Sequence, residues 1–273
     1  MTLLCTVREC RQPLVRLERR LVCQRGHSFD IARSGYCNLL QPQDRRSANP
    51  GDSAEAVAAR RRFLDAGYAE PLVAAIVAMA ANAAGGPLLD AGCGEGHHLA
   101  AVQAHRGGQG HGIDISTPAI DAAARRHRHS TWVIANADRF LPYEDASFAL
   151  VMSITARLNA AEYGRVIRDD GALLVAIPGP DDVIELRQAV LGEGERRDRV
   201  ERTVAIFSDQ FTLLEHQRAE HVAMLPPDAI AGVMMSSYRG LRTRERERLT
   251  GLGAMDVTLS RDLLLFRPRR AIP

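Results

Sequence analysis

Seven residues, Asp90-Ala91-Gly92-Cys93-Gly94-Glu95-Gly96, restrict the fold of this chain more than any other stretch. The apolar pair Leu88-Leu89 leads into them and residues 99–105 leave them with helical spacing, so the chain turns from strand to helix through three glycines. Such a turn brings backbone N–H groups close to a ligand at a helix N-terminus, where partial positive charge gathers. Glycines at alternate positions make this loop tighter than the dinucleotide-binding fingerprint, whose third glycine comes three residues after the second. A purely structural turn and an ordinary dinucleotide loop are the alternatives.

Downstream, strand and helix signals alternate: a short strand over 112–115, a helix over 118–126, a strand over 131–135, the apolar run 148–154, and a strand over 172–177 closed by Pro178-Gly179-Pro180. That rhythm predicts an α/β fold with a doubly wound parallel sheet. Helices are expected over 54–64 and 70–83, strands over 211–225 and 257–266, and helical material around 228–235 and 243–249. Eighteen residues after Gly96, Asp114 ends the next strand, where a carboxylate can accept hydrogen bonds from two ribose hydroxyls.

The first forty residues carry different chemistry. Cys5 and Cys10, then Cys23 and His27, supply three thiolates and one imidazole, the set that Zn²⁺ holds tetrahedrally in closed structural sites. Ligation would replace the core that so short a unit cannot build, and the pairs flank an expected hairpin over 14–22. Three ordinary reduced cysteines are the alternative, because the first spacing is four residues rather than two. Cys37 reads as a packed side chain, and Cys93 as a small residue that the glycine loop requires. Residues 1–49 hold nine arginines against four acids, a balance that can face phosphates. The chain has no lysine, so every long basic side chain is an arginine, which reads first as compositional bias. The stretch 41–53 has linker chemistry, and the absence of a run of about eighteen apolar residues predicts no membrane partner and a cytoplasmic protein.

The Asp-x-Gly-x-Gly-x-Gly loop resembles motif I of class I methyltransferases. The wider chain resembles the RlmA-type 23S ribosomal RNA guanine-N1 methyltransferases, a family that includes the tylosin-resistance methyltransferases. The resemblance rests on residues 23–40 (CQRGHSFDIARSGYCNLL), 49–55 (NPGDSAE), 59–67 (ARRRFLDAG), 89–96 (LDAGCGEG) and 178–180 (PGP). It implies a Rossmann-like class I methyltransferase sheet with a small N-terminal zinc-binding domain. On that basis residues 1–40 form the zinc-binding, RNA-recognising unit, 41–84 a linker with helices, and 85–273 the methyltransferase domain.

The implied cofactors are S-adenosyl-L-methionine and a structural Zn²⁺, and the implied partner is 23S rRNA, methylated at guanine N1 in a domain II hairpin. A homodimer and a link to antibiotic resistance are left open. Asp90, Gly92, Gly94, Gly96, His98, Asp114 and Asn136 are expected to bind the cofactor, with Asp138 the competitor of Asn136 at the adenine edge. Cys5, Cys10, Cys23 and His27 would hold the metal, and Arg16, Arg19, Arg20 and Arg25 would contact phosphates. The chain departs from the family at Thr155-Ala156-Arg157-Leu158-Asn159, where an aromatic-Ala-Pro element is usual, and at Met235-Ser236-Ser237-Tyr238-Arg239. Arg157 and Asn159 are the substrate candidates, and no general base identifies itself. A small molecule or another RNA as acceptor, or a non-catalytic zinc-containing RNA-binding protein, are the competing functions.

Overall fold

A computed structural model describes all residues except 46, 48, 193, 238–242 and 270–273, and no side chains at 235–237. Arg46 and the Tyr238-Arg239 end of the second departure therefore lie outside the described residues.

The N-terminal unit is a three-stranded antiparallel sheet, β1 (Val15–Leu17), β2 (Arg20–Val22) and β3 (Ser28–Asp30). The two-residue strand β4 (Cys37–Asn38) follows and leaves this unit to pair in parallel with β7 (Thr131–Ile134) of the large sheet. An isolated bridge between Leu3 and Tyr143 makes a second attachment. Cys5, Leu14, Leu21 and Phe29 accordingly share one apolar cluster with Leu89, Val133, Tyr143 and Phe148. The zinc-type knuckle and the main sheet thus have a continuous core.

Helices α1 (Ala54–Asp65) and α2 (Glu70–Ala80) precede β5 (Leu88–Ala91). Ser53 caps α1 by accepting from the Ala56 N–H. Then come α3 (His97–Arg106), β6 (Gly110–Asp114), α4 (Thr117–Arg126), β7, β8 (Phe148–Ile154), α5 (Ala160–Val166) and β9 (Ile167–Pro178). The last part holds α6 (Ile184–Leu186) running into one π-helical turn, α7 (Val200–Phe207), β10 (Phe211–Leu225), α8 (Pro227–Ser237), α9 (Thr243–Thr250) and β11 (Met255–Pro268).

The large sheet has the order β10-β11-β9-β8-β5-β6-β7-β4. Its strands from β4 to β9 pair in parallel, and β11 runs antiparallel between β9 and β10. Alternation along the buried strands feeds two apolar layers: Leu89, Val151 and Leu173 face one, and Leu88, Leu150 and Leu174 the other. The order reverses beside β5, so the loops after β5, β6, β7 and β8 open onto one crevice at the carboxyl ends of the strands.

The strand expected over 172–177 begins earlier, at Ile167, and three helical segments after β8 were not expected from the sequence. The helix expected over 70–83 ends at Ala80.

Candidate active site

Gly92, Gly94 and Gly96 all take left-handed φ, at 88°, 55° and 79°. Shape adds to conformation at two of them: a Cβ on Gly92 would lie 2.4 Å from the Ala156 Cβ, and one on Gly96 would lie 2.3 Å from the Trp132 ring. The Gly94 N–H donates to Asp114 Oδ2 at 2.9 Å, and the Ser116 N–H to Asp114 Oδ1 at 2.8 Å. Asp114 therefore fixes the glycine loop to the end of β6. Each of its oxygens keeps a lone pair for a ligand.

Asp90 lies behind the loop at 1% exposure, and neither carboxylate oxygen has a hydrogen-bond partner. Burial, and then the negative charge of Asp114, push its carboxyl up to about 7. A buried carboxylate left without donors asks for a cation.

In front of the loop is a cavity of about 600 Å³, lined by Ala91, Gly92, Gly94, Asp114, Asn136, Asp138 and residues 154–157. Asp44, Gly51 and Asp52 close it from the segment that precedes α1. That segment is docked by the Ser116 hydroxyl, which donates to the Asp52 carbonyl at 2.7 Å, and by Gly51, where a Cβ would strike Ser116. Asn136 donates to the Asp44 carbonyl at 2.9 Å and accepts from the Asp138 N–H, so its amide ties the post-β7 loop to the N-terminal segment.

A second cavity of about 360 Å³ lies on the other side of Arg60, Ile154 and Thr155, which line both spaces. His98 faces this second cavity and not the first. It is 6% exposed, its Nε2 has no partner, and burial holds its pKa down at about 3, so the ring is neutral. Arg187 is committed there to the carbonyls of Pro180, Asp182 and Glu195, and His221 to that of Tyr68. Thr155 has φ 52°, a left-handed conformation that costs a β-branched residue about 1–3 kcal/mol.

Arg157 is 71% exposed and pairs with Asp138 at 3.4 Å across the rim of the first cavity. Asn159 is the N-cap of α5: its oxygen accepts from the Glu162 N–H and its NH₂ donates to the Ala137 carbonyl. The loop that departs from the family thus supplies a rim latch and a helix cap. Arg60 went unnoticed in the sequence, although Ala56, Arg60 and Leu64 stand four residues apart on the face that α1 buries.

At the other end, the ligand atoms of Cys5, Cys10, Cys23 and His27 all lie within 4.8 Å of one another. Cys5 and Cys23 Sγ are each 3.4 Å from His27 Nδ1, and Cys10 Sγ is 3.8 Å from Cys23 Sγ. Two thiolates bound tetrahedrally at about 2.3 Å stand roughly 3.8 Å apart, so these spacings fit a tetrahedral zinc site. The long first spacing closes through a turn in which the Cys10 N–H donates to the Val7 carbonyl and Glu9 takes φ 62°.

Residues 4–48 match the family described as "RlmA, N-terminal", and residues 88–171 match "Methyltransferase domain". The 23S rRNA (guanine(748)-N(1))-methyltransferase of Streptomyces fradiae is 34% identical over 269 residues, covering 95% of each chain. The chain belongs to the RlmA-type 23S rRNA guanine-N1 methyltransferases. A second relative, "Putative 23S rRNA (guanine-N(1)-)-methyltransferase" of Micromonospora griseorubida, is 40% identical over 198 residues, covering 65% of this chain and 66% of its own. Among solved structures, the YcgJ protein of Bacillus subtilis superposes with a TM-score of 0.55 over 73% of this chain and 98% of that one, at 15% identity. That likeness shows the fold alone.

As an RlmA-type protein the chain is an S-adenosylmethionine-dependent methyltransferase with a structural zinc ribbon. The first cavity fits the methyl donor, since Asp44, Asp52, Asp114 and Asp138 line it and the orphaned Asp90 carboxylate stands behind it, an acidic setting for a ligand with sulfonium and ammonium charges. No single helix among the described residues is long and apolar enough to cross a membrane.

Proposed function

We propose that the chain methylates N1 of a guanine in 23S rRNA, with the base entering the second cavity and the methyl donor held in the first. The observation that carries this reading is the shared wall of Arg60, Ile154 and Thr155, across which, among the described residues, a ligand in each cavity can meet the other. Bound S-adenosylmethionine supplies an electrophilic methyl group on a sulfonium.

The chain's own contribution is placement. Asp114 would receive the ribose hydroxyls, the post-β7 loop at Asn136 and Asp138 the adenine, and Asp90 the ammonium. Holding both reactants in one geometry supplies much of the acceleration for a donor that is already reactive. The neutral His98, with its free Nε2, would hydrogen-bond the acceptor base in the second cavity. An extruded base is needed there, because guanine N1 is engaged and covered while the base is paired and stacked.

Arg16, Arg19, Arg20 and Arg25 are exposed on or beside the β1-β2 hairpin, next to the exposed side chains of Val15 and Leu17. That mixture of guanidinium and aliphatic surface suits an RNA hairpin recognised by shape and phosphates. A cytoplasmic location follows from an RNA acceptor of this kind.

The test incubates the purified protein with labelled S-adenosylmethionine and 23S rRNA lacking the modification, then maps the label by nuclease digestion and mass spectrometry. Label on a guanine N1 supports the reading. Label absent from rRNA but present on a small-molecule fraction transfers the assignment to another acceptor.

A further inference from the structure

We infer that Arg60 binds the α-carboxylate of the methyl donor, so that α1 and the glycine loop together clamp the donor's amino-acid tail. This rests on the reading that the first cavity is the S-adenosylmethionine site.

The argument is one of charge. Among the described residues lining the first cavity the acids are Asp44, Asp52, Asp114 and Asp138, and the cations are Arg60 and Arg157. An acidic cavity suits the sulfonium and ammonium groups and disfavours the one anionic group that the donor carries. Arg157 is an exposed rim residue already paired with Asp138. Arg60 is half-buried and makes no hydrogen bond or ion pair, although its charge is felt by Asp90, His98 and Asp114.

A half-buried guanidinium and a buried carboxylate, both without partners and too far apart to pair with each other, are two uncompensated charges of opposite sign. A zwitterionic tail compensates both at once, its ammonium toward Asp90 and its carboxylate on the Arg60 fork. The second cavity offers Arg60 no comparable demand, because the other arginines that line it have partners. Helix α1 is held where this requires: its Ala59 lies 3.4 Å from where a Cβ on Gly232 of α8 would stand, and Arg126 pairs with Asp65 at its C-terminal end.

The experiment compares two nucleosides by titration calorimetry. S-adenosylhomocysteine carries the amino-acid tail, and 5′-methylthioadenosine lacks it. Arg60→Gln should weaken the first by about tenfold or more and leave the second unchanged, with Arg60→Lys recovering part of the loss. Equal losses for both nucleosides, or no loss for either, overturn the assignment. Should Arg60→Gln fail to fold, the wild-type protein decides: the α-carboxamide of S-adenosylhomocysteine must bind at least tenfold more weakly than the acid, and equal binding overturns the clamp. A wild-type protein that binds neither nucleoside instead removes the reading of the cavity on which the clamp depends.

Discussion

Gly92 and Ala156 pack so closely that the loop after β5 and the loop after β8 leave no room for one methyl group between them. Gly92→Ala therefore meets two penalties, the 2.4 Å approach and a φ of 88° that L side chains rarely adopt. Strain of this kind costs about 1–3 kcal/mol, and relief requires the Thr155-Ala156 backbone to shift away from the shared wall of the two cavities. The expected outcome is a Tm lowered by several degrees and S-adenosylhomocysteine affinity reduced by about tenfold. A variant that binds normally would show that the two loops move independently.

Asp90 gives a pH signature. In the cofactor-free fold its carboxyl sits at about 7, above the ordinary carboxylate range, because burial and Asp114 disfavour its charge. A raised pKa stabilises the fold at low pH, and the benefit is lost as pH rises through about 7. An ammonium bound beside Asp90 favours the ionised form, so ligand binding at neutral pH should release roughly half a proton from this group. Calorimetry of S-adenosylhomocysteine in buffers of different ionisation enthalpy measures that release. Asp90→Asn should abolish it, weaken binding, and flatten the neutral-pH part of the stability profile of the free protein. Unchanged proton release in the variant would assign the proton to another group.

The glycine loop and its tie to Asp114 were legible in the sequence because they rest on local rules. Glycines at 92, 94 and 96 dictate the turn, and Asp114 follows from the length of one helix and one strand. His98 is different: the helix after the loop could be read, but its rotation decides which cavity the ring faces, and tertiary packing sets that rotation. Arg60 was hidden for the same reason. Its place on the buried face of α1 is a matter of spacing, whereas the cavity it enters depends on how α1 packs against α8. The strand Cys37–Asn38 is too short to show periodicity, so its union with β7 could only appear in three dimensions.

Asn159 was expected to face substrate, and its geometry leads to a different outcome. Its side chain caps α5 and holds the Ala137 carbonyl, so Asn159→Ala should destabilise the protein by about 1 kcal/mol. Because neither cavity is lined by this residue, affinity for S-adenosylhomocysteine should be retained. Arg157→Ala, which removes an exposed pair with Asp138, should cost less than about 1 kcal/mol. Chemical denaturation with parallel binding measurements tests both. A large loss of binding in the Asn159 variant at unchanged stability would return that residue to the ligand site.

The zinc cluster should act beyond its own forty residues. Ligand removal unties knuckles whose cores merge with the main sheet through Cys37, Leu39 and Tyr143, and the Leu39 N–H donates to the Ile134 carbonyl at the end of β7. From there the link to the first cavity is short: Asn136, two residues further on, holds the Asp44 carbonyl. Cys23→Ser, or treatment with a strong chelator, should remove one zinc per chain, as elemental analysis would show. Loss of a structural zinc forfeits several kcal/mol, and the damage should fall in a gradient. Binding of an rRNA hairpin should be lost, because the arginine-bearing β1-β2 hairpin lies in the chain directly between the ligand pairs Cys5/Cys10 and Cys23/His27. Affinity for S-adenosylhomocysteine should fall by a smaller factor, through the Asp44 closure alone, since β5, β6 and Asp114 keep their own packing. If zinc removal abolished nucleoside binding as fully as RNA binding, the two units would unfold as one, and the continuity of the core across β4 would outweigh the local stability of the glycine loop.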